Sequence, residues 1–208
     1  MIYILGAGGF AREVLSILID LDREDEVLGF VEQNSKREGE VMNGKKVFDE
    51  RVLDDSPVGT RLVGAIGSPK RRSWFQQLEE REFQFETIIH PSVVKSRWTE
   101  LGRGVILCAG NILTNNIRIG NHTIINLGCT IGHDVLIGDY VTVSPGVDIS
   151  GNVSIEDDVW VGIGSTIVEK TSIGKGSFLG AGAVVTNDIP PGVLAVGIPA
   201  VVKRKITD

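Results

Sequence analysis

From Leu101 to Val185 a branched aliphatic residue recurs at every sixth position without a slip of phase. The series is Leu101, Leu107, Leu113, Ile119, Ile125, Ile131, Ile137, Val143, Ile149, Ile155, Val161, Ile167, Ile173, Leu179, Val185. A period of six suits neither an amphipathic helix nor an alternating strand. It predicts a parallel β-helix, a solenoid whose core closes only when coils stack. Four residues after each aliphatic comes a second inward position held by small or β-branched residues, among them Val105, Asn111, Cys129, Val147, Ser165, Ala183 and Ile189. Between the two stands a position rich in Gly, Asn and Asp (Gly104, Asn116, Gly128, Asp134, Asn152, Asp158), residues that tolerate left-handed backbone angles. Each hexad therefore reads as a short strand followed by a corner.

Residues 1–88 lack this repeat and show a different pattern. Ile2–Leu5 predicts a buried strand, followed by Gly6-Ala7-Gly8-Gly9-Phe10-Ala11 and an amphipathic helix over Arg12–Leu21. Val27–Glu32 predicts a second strand and Leu62–Ile66 a third, which turns at Gly67-Ser68 into a helix from about Pro69 to Glu82. Gly6, Gly8 and Ala11 match G-x-G-x-x-A between a strand and a helix, where glycines admit a diphosphate to the backbone and the helix N-terminus. A tight turn that needs small residues accounts for the motif nearly as well. The segment is too short for a six-stranded dinucleotide fold, which favours a nucleotide or nucleotide sugar over NAD. The expected organisation is a Rossmann-like α/β domain over 1–88 and a β-helix with a C-terminal tail over 89–208.

Composition narrows the function. The net charge of −6 and the absence of a basic stripe argue against nucleic acid as a partner. No apolar stretch approaches spanning length and no secretory signal stands at the start, so a cytoplasmic protein without a membrane partner is expected. The two cysteines, Cys108 and Cys129, form no disulfide framework.

Three histidines are present. His90 precedes Pro91 at the entry to the repeat, where a structural role is the default, and His122 occupies a corner position. His133 stands immediately before a corner, at a position shared with Arg103, Asn115, Asn121, Asp139, Asp157, Glu169 and Lys175, and is expected to point outward. Such a histidine is either a plain surface residue or a base. Asp134 follows it, although a corner would favour Asp in any case. Zinc chemistry needs converging ligands. The histidines lie 32 and 11 residues apart, neither a multiple of six, so they hold unlike places in the repeat and no metal site is expected. Cys129 is only four residues before His133 but falls on an inward position, where a thiol is inert.

The segments Ile137–Gly146 (IGDYVTVSPG), Val159–Ile167 (VWVGIGSTI) and Leu179–Ala200 (LGAGAVVTNDIPPGVLAVGIPA) closely resemble the hexapeptide acyltransferases. With Gly6–Val14 (GAGGFAREV), Gly29–Glu32 (GFVE) and Ala65–Arg72 (AIGSPKRR), the whole chain resembles the group of sialic acid O-acetyltransferases and nucleotide-amino-sugar N-acetyltransferases. The resemblance implies a left-handed β-helix with three hexads per coil, acetyl-CoA as co-substrate, and a homotrimer with active sites between subunits. It implies that His133 is the general base with Asp134 polarising it, and that Asn126 helps hold the acceptor. The backbone N–H of Gly151 would bind the thioester oxygen, and Thr142, Gly162, Gly180 and Ala181 would lie along the coenzyme. In the first domain Gly6, Gly8, Gly9, Phe10, Glu32 and Gly67 would hold the nucleotide-linked acceptor. Relatives often carry histidine where this chain has Thr142 and Phe10, which bears on coenzyme contact and on the sugar bound. Trp160 is expected beside the coenzyme groove, at a subunit contact, or simply packed.

The resulting expectation is an acetyl-CoA-dependent N-acetyltransferase of a nucleotide-linked amino sugar. O-acetylation of a sialic acid or another surface sugar is the nearest alternative, and a non-catalytic β-helix scaffold the more distant one. An amine is easier to deprotonate than a sugar hydroxyl, which favours N-transfer.

Overall fold

The computed structural model describes residues 1–206 and divides into two compact units, Met1–Pro91 and Ser92 onwards. In the first unit the predicted strands form at Ile2–Leu5 (β1), Val27–Glu32 (β2) and Arg61–Gly64 (β5). Helix α1 spans Gly9–Asp20, and α2 spans Arg72–Glu80 after a short 3-10 turn at Pro69–Arg71. Three further strands were not expected: Val41–Met42 (β3), Lys45–Asp49 (β4) and Gln84–Phe85 (β6). The sheet order is β3-β4-β2-β1-β5-β6, parallel throughout except for the β3–β4 hairpin.

Packing explains the sheet. Ile2, Ile4 and Leu5 of β1 and Phe30 and Val31 of β2 are fully buried, as a central parallel sheet requires. Gly64 leaves the space that the ring of Phe75 fills, so α2 lies close over β5. Strand order reverses at β1, between β2 and β5, and this switch point opens at the strands' carboxyl ends.

The second unit is a three-sided parallel β-solenoid. Strand partners lie eighteen residues apart on every face, as in Ile106↔Ile124↔Thr142↔Trp160, Ile112↔Thr130↔Asp148↔Thr166 and Arg118↔Leu136↔Ser154↔Ser172. Every aliphatic of the series from Leu107 to Val185 is at most 4% exposed. Burial of each contributes roughly 1.5–3 kcal/mol, realised only when the next coil covers it. The corners have the expected left-handed backbone: φ is 56° at Asn116, 58° at Asp134 and 64° at Gly164.

Both ends of the repeat depart from the hexad reading. A strand at Val94–Lys95 pairs with Ile112–Leu113, so the solenoid begins before the first aliphatic of the series. At the far end Phe178 pairs with Leu194, and Ile173 bridges Ile189, sixteen residues on. Ile189 was expected in the second inward column; it stands instead opposite Ile173 in the aliphatic column, because this coil is two residues short. An antiparallel hairpin of Val193–Val196 with Val201–Lys205 follows, so the tail residues Lys203, Arg204 and Lys205 form an exposed strand.

Candidate functional site

In the first unit the glycine turn leaves β1 and enters α1. Gly6 has φ +100°, and a Cβ there would come within 3.0 Å of the Ala65 carbonyl, so only glycine suits the position. The N-cap of α1 is Gly8, with no side-chain cap and no acidic residue in the first turn, which leaves that turn's amides free for an anion. Around it lies a cleft of about 570 Å³, within the range of ligand sites. Gly6, Gly8, Gly9, Phe10, Glu32 and Gly67 all line it, so the structure gathers the six predicted residues of this unit.

Lys36, Arg37 and Trp74 line the same cleft and were not anticipated. Arg37 donates from Nη1 to the Ala7 carbonyl at 2.7 Å and from Nε to Glu40 at 2.8 Å, which ties the segment after β2 to the glycine turn. Ser35 Oγ donates to Glu32 at 3.2 Å. A Lys-Arg pair just after the acidic end of β2 was the available signal.

In the solenoid His133 points outward, with its side chain 60% exposed. Its Nδ1 lies 2.8 Å from Asp134 Oδ2. The Asp134 carboxyl is held below its usual range, chiefly by the His133 hydrogen bond and then by Asn116, so it is an acceptor only. The hydrogen of that contact therefore belongs to Nδ1, which in the neutral ring leaves the lone pair on Nε2. Asn116, one coil earlier, donates from Nδ2 to Asp134 Oδ1 at 3.1 Å. Gly151, one coil later, lies against the ring: a Cβ there would be 2.7 Å from both Cε1 and Nε2 of His133.

The Gly151 amide is also available. At a neighbouring corner the equivalent amides of Arg103, Asn121 and Asp139 donate to the side chains of Asn121, Asp139 and Asp157. At the His133 corner no such side chain serves Gly151, and its N–H meets no protein acceptor among the described residues.

The remaining predicted residues lie elsewhere on the coils. Asn126 shares a column with Ser144, Gly162 and Gly180, on the corner preceding that of His133, and its Nδ2 donates to the Val143 carbonyl at 2.8 Å. Ala181 is exposed beside that column. Thr142 is buried on the adjoining face, paired with Ile124 and Trp160. Trp160 stacks on Phe178 with ring centroids 5.4 Å apart and donates to Ser144 Oγ at 3.1 Å. His122 is buried and stacked on Tyr140, and His90 contacts Asp20 at 3.0 Å. Cys129 is buried, and desolvation pushes its thiol up to about 11, far from a nucleophile at neutral pH. Among the described residues no three His, Cys, Asp or Glu side chains gather as metal ligands, and no helix is long and apolar enough to cross a membrane.

Comparison with known proteins meets this geometry at both ends of the chain. Residues 1–78 match the PglD N-terminal domain and residues 152–187 the bacterial transferase hexapeptide (six repeats). WeeI from Acinetobacter baumannii is 31% identical, with TM-score 0.91, over 98% of this chain and 99% of that one. PerB from Caulobacter crescentus, solved in complex with CoA and GDP-perosamine, is also 31% identical, with TM-score 0.88, over 98% and 97%. The chain belongs to the hexapeptide-repeat N-acetyltransferase group. A third similar structure, the acetyltransferase domain of PglB from Neisseria gonorrhoeae in complex with acetyl coenzyme A, is 26% identical, with TM-score 0.75, over 97% and 98%. Comparison with curated protein sequences gave no match. In this acetyltransferase, then, the glycine turn and the His133 corner stand on the two units that the group's members combine.

Proposed function

We propose that the protein transfers an acetyl group from acetyl-CoA to the amine of a nucleotide-linked amino sugar, with His133 as general base. The observation that carries the reading is the His133–Asp134 pair, 2.8 Å apart, set against Gly151 on an outward corner. Support for the substrates comes from PerB, whose structure holds CoA and GDP-perosamine, and from a PglB domain with acetyl coenzyme A. A perosamine N-acetyltransferase from Caulobacter crescentus is likewise similar, at 29% identity.

The chemistry follows from the atoms. The acceptor amine attacks the thioester carbonyl, Nε2 of His133 takes its proton, and Asp134 stabilises the imidazolium. The Gly151 N–H donates to the oxygen as it gains charge. The C–N bond forms, the C–S bond breaks, and the coenzyme thiolate leaves and receives the proton. The cleft of the first unit holds the nucleotide, its diphosphate on the first turn of α1 with Lys36 and Arg37 nearby. Asn126 contributes to the acceptor side, and Thr142, Gly162, Gly180 and Ala181 to the coenzyme side. The chain works as a homotrimer.

A panel of UDP-, GDP-, dTDP- and CMP-linked amino sugars with acetyl-CoA, read by release of free thiol, tests the reading. One of these acceptors should be turned over, and His133→Ala should lower kcat at least a hundredfold, by roughly the weight of one acid–base group. Undiminished turnover by His133→Ala would remove the base from the scheme.

A further inference from the structure

Asn116 occupies a corner one coil before Asp134, at φ 56°, and its backbone role there would be met by glycine. Its side chain does something a glycine does not. The Nδ2 group donates to Asp134 Oδ1 at 3.1 Å while His133 Nδ1 holds Oδ2 at 2.8 Å. Both carboxylate oxygens are thus engaged from opposite sides, and the carboxylate plane is fixed by groups on two successive coils. We propose that Asn116 is a positioning residue of the reaction: it orients Asp134, and through it the tautomer and tilt of the His133 ring. The inference rests on the reading of His133 as the base.

The surroundings leave this task to Asn116. Asp134 and Asn116 share a groove with three charged groups, Arg97, Glu100 and Arg118. Arg118 is paired with Glu100 at 3.0 Å, and the guanidinium of Arg97 lies over the Trp98 ring, 4.4 Å from its centroid. Among the described residues neither guanidinium pairs with Asp134, and Oδ1 is left to the Asn116 amide. A neutral amide has a further advantage over an arginine, since it orients the carboxylate without neutralising the charge that the imidazolium needs. The chain of hydrogen bonds runs Asn116, Asp134, His133 across adjacent coils on an exposed corner, each member orienting the next.

The test uses two substitutions in the full chain. Asn116→Gly removes the donor at a backbone angle glycine prefers. Asn116→Asp keeps the shape and turns a donor into an acceptor that repels Asp134. Both should retain the wild-type thermal midpoint and KM for acetyl-CoA, with kcat about tenfold lower, as for other partners of a catalytic group's ligand. In Asn116→Asp the added negative charge favours the imidazolium, so the acid limb of the kcat–pH profile should move to higher pH, with partial recovery in alkaline buffer. Wild-type kcat and an unmoved acid limb in both variants, in an enzyme that His133→Ala inactivates, would overturn the role of Asn116 alone. Full activity of His133→Ala would instead overturn the base on which it rests.

Discussion

Gly151 has no side chain where the imidazole of His133 lies, because a Cβ would come within 2.7 Å of Cε1 and Nε2. Its φ is outside the left-handed region, so alanine is no strain on the backbone and must act through the ring. Gly151→Ala should push His133 off its seat while Asp134 and the coil stay folded. A displacement of about 1 Å at a base costs on the order of a hundredfold, so kcat should fall by that much with an unchanged thermal midpoint. Steady-state rates within twofold of wild type would show that the contact has no bearing on the base. Part of this site is legible in the chain. The phase of six places His133 outward, Cys129 inward and Asp134 on a corner. The bond from Asn116 is less legible, although it spans one eighteen-residue coil. Residues at corners read as conformational choices, and a side-chain contact between stacked corners leaves no periodic trace. The roles proposed for His133 and Gly151 rest on resemblance, since orientation alone does not separate a base from a surface histidine.

At the level of elements, periodicity succeeds where burial repeats and fails where elements are short. The apolar runs of β1 and β2 match the observed strands to the residue, whereas the short β3–β4 hairpin carries no such run. Its signal was the turn: Asn43 and Gly44 both have positive φ, as a two-residue hairpin requires. Ile189 departs from the hexad phase for the opposite reason, because its coil is two residues short. The first unit is also tied by charges that no period reports. Glu26 accepts from Arg23 at 2.7 Å and 2.9 Å and from Arg61 at 2.8 Å, while Arg23 reaches Glu86 at 2.7 Å. The Arg23 hydrogen bonds hold the Glu26 carboxyl down to about 2, against an ordinary 4.5. A depressed carboxyl stabilises the fold above its unfolded pKa and loses that contribution as pH falls through the folded one. Glu26→Gln should therefore lower the thermal midpoint at pH 7, and the difference from wild type should shrink between pH 4.5 and 2. A difference that stays constant across that window would show that the carboxylate's charge is not what Glu26 contributes.

For the whole molecule the decisive fact is that the solenoid places its two sets of candidate groups on different corners. His133, Asp134 and Gly151 share one corner, while Asn126, Gly162, Gly180 and Ala181 follow the corner before it. The two sets thus face different directions on one chain, and the His133 ring stands largely in solvent. Leu127 and Ile163, both exposed, lie beside the Asn126 column and offer an apolar surface to a neighbour. The homotrimer proposed above would join the proposed base of one subunit to the proposed coenzyme column of the next, and a threefold arrangement would close after three steps. Sedimentation equilibrium should give three chain masses at assay concentrations. The sharper measurement is complementation. His133→Ala removes the proposed base and Ala181→Trp fills the exposed edge of the other column, so each variant alone should be inactive. Chains mixed in equal amounts before assembly form interfaces with both halves intact at about one position in four, so activity should return to about a quarter of wild type. Mixed trimers as inactive as either parent would place the base and the coenzyme column on the same chain.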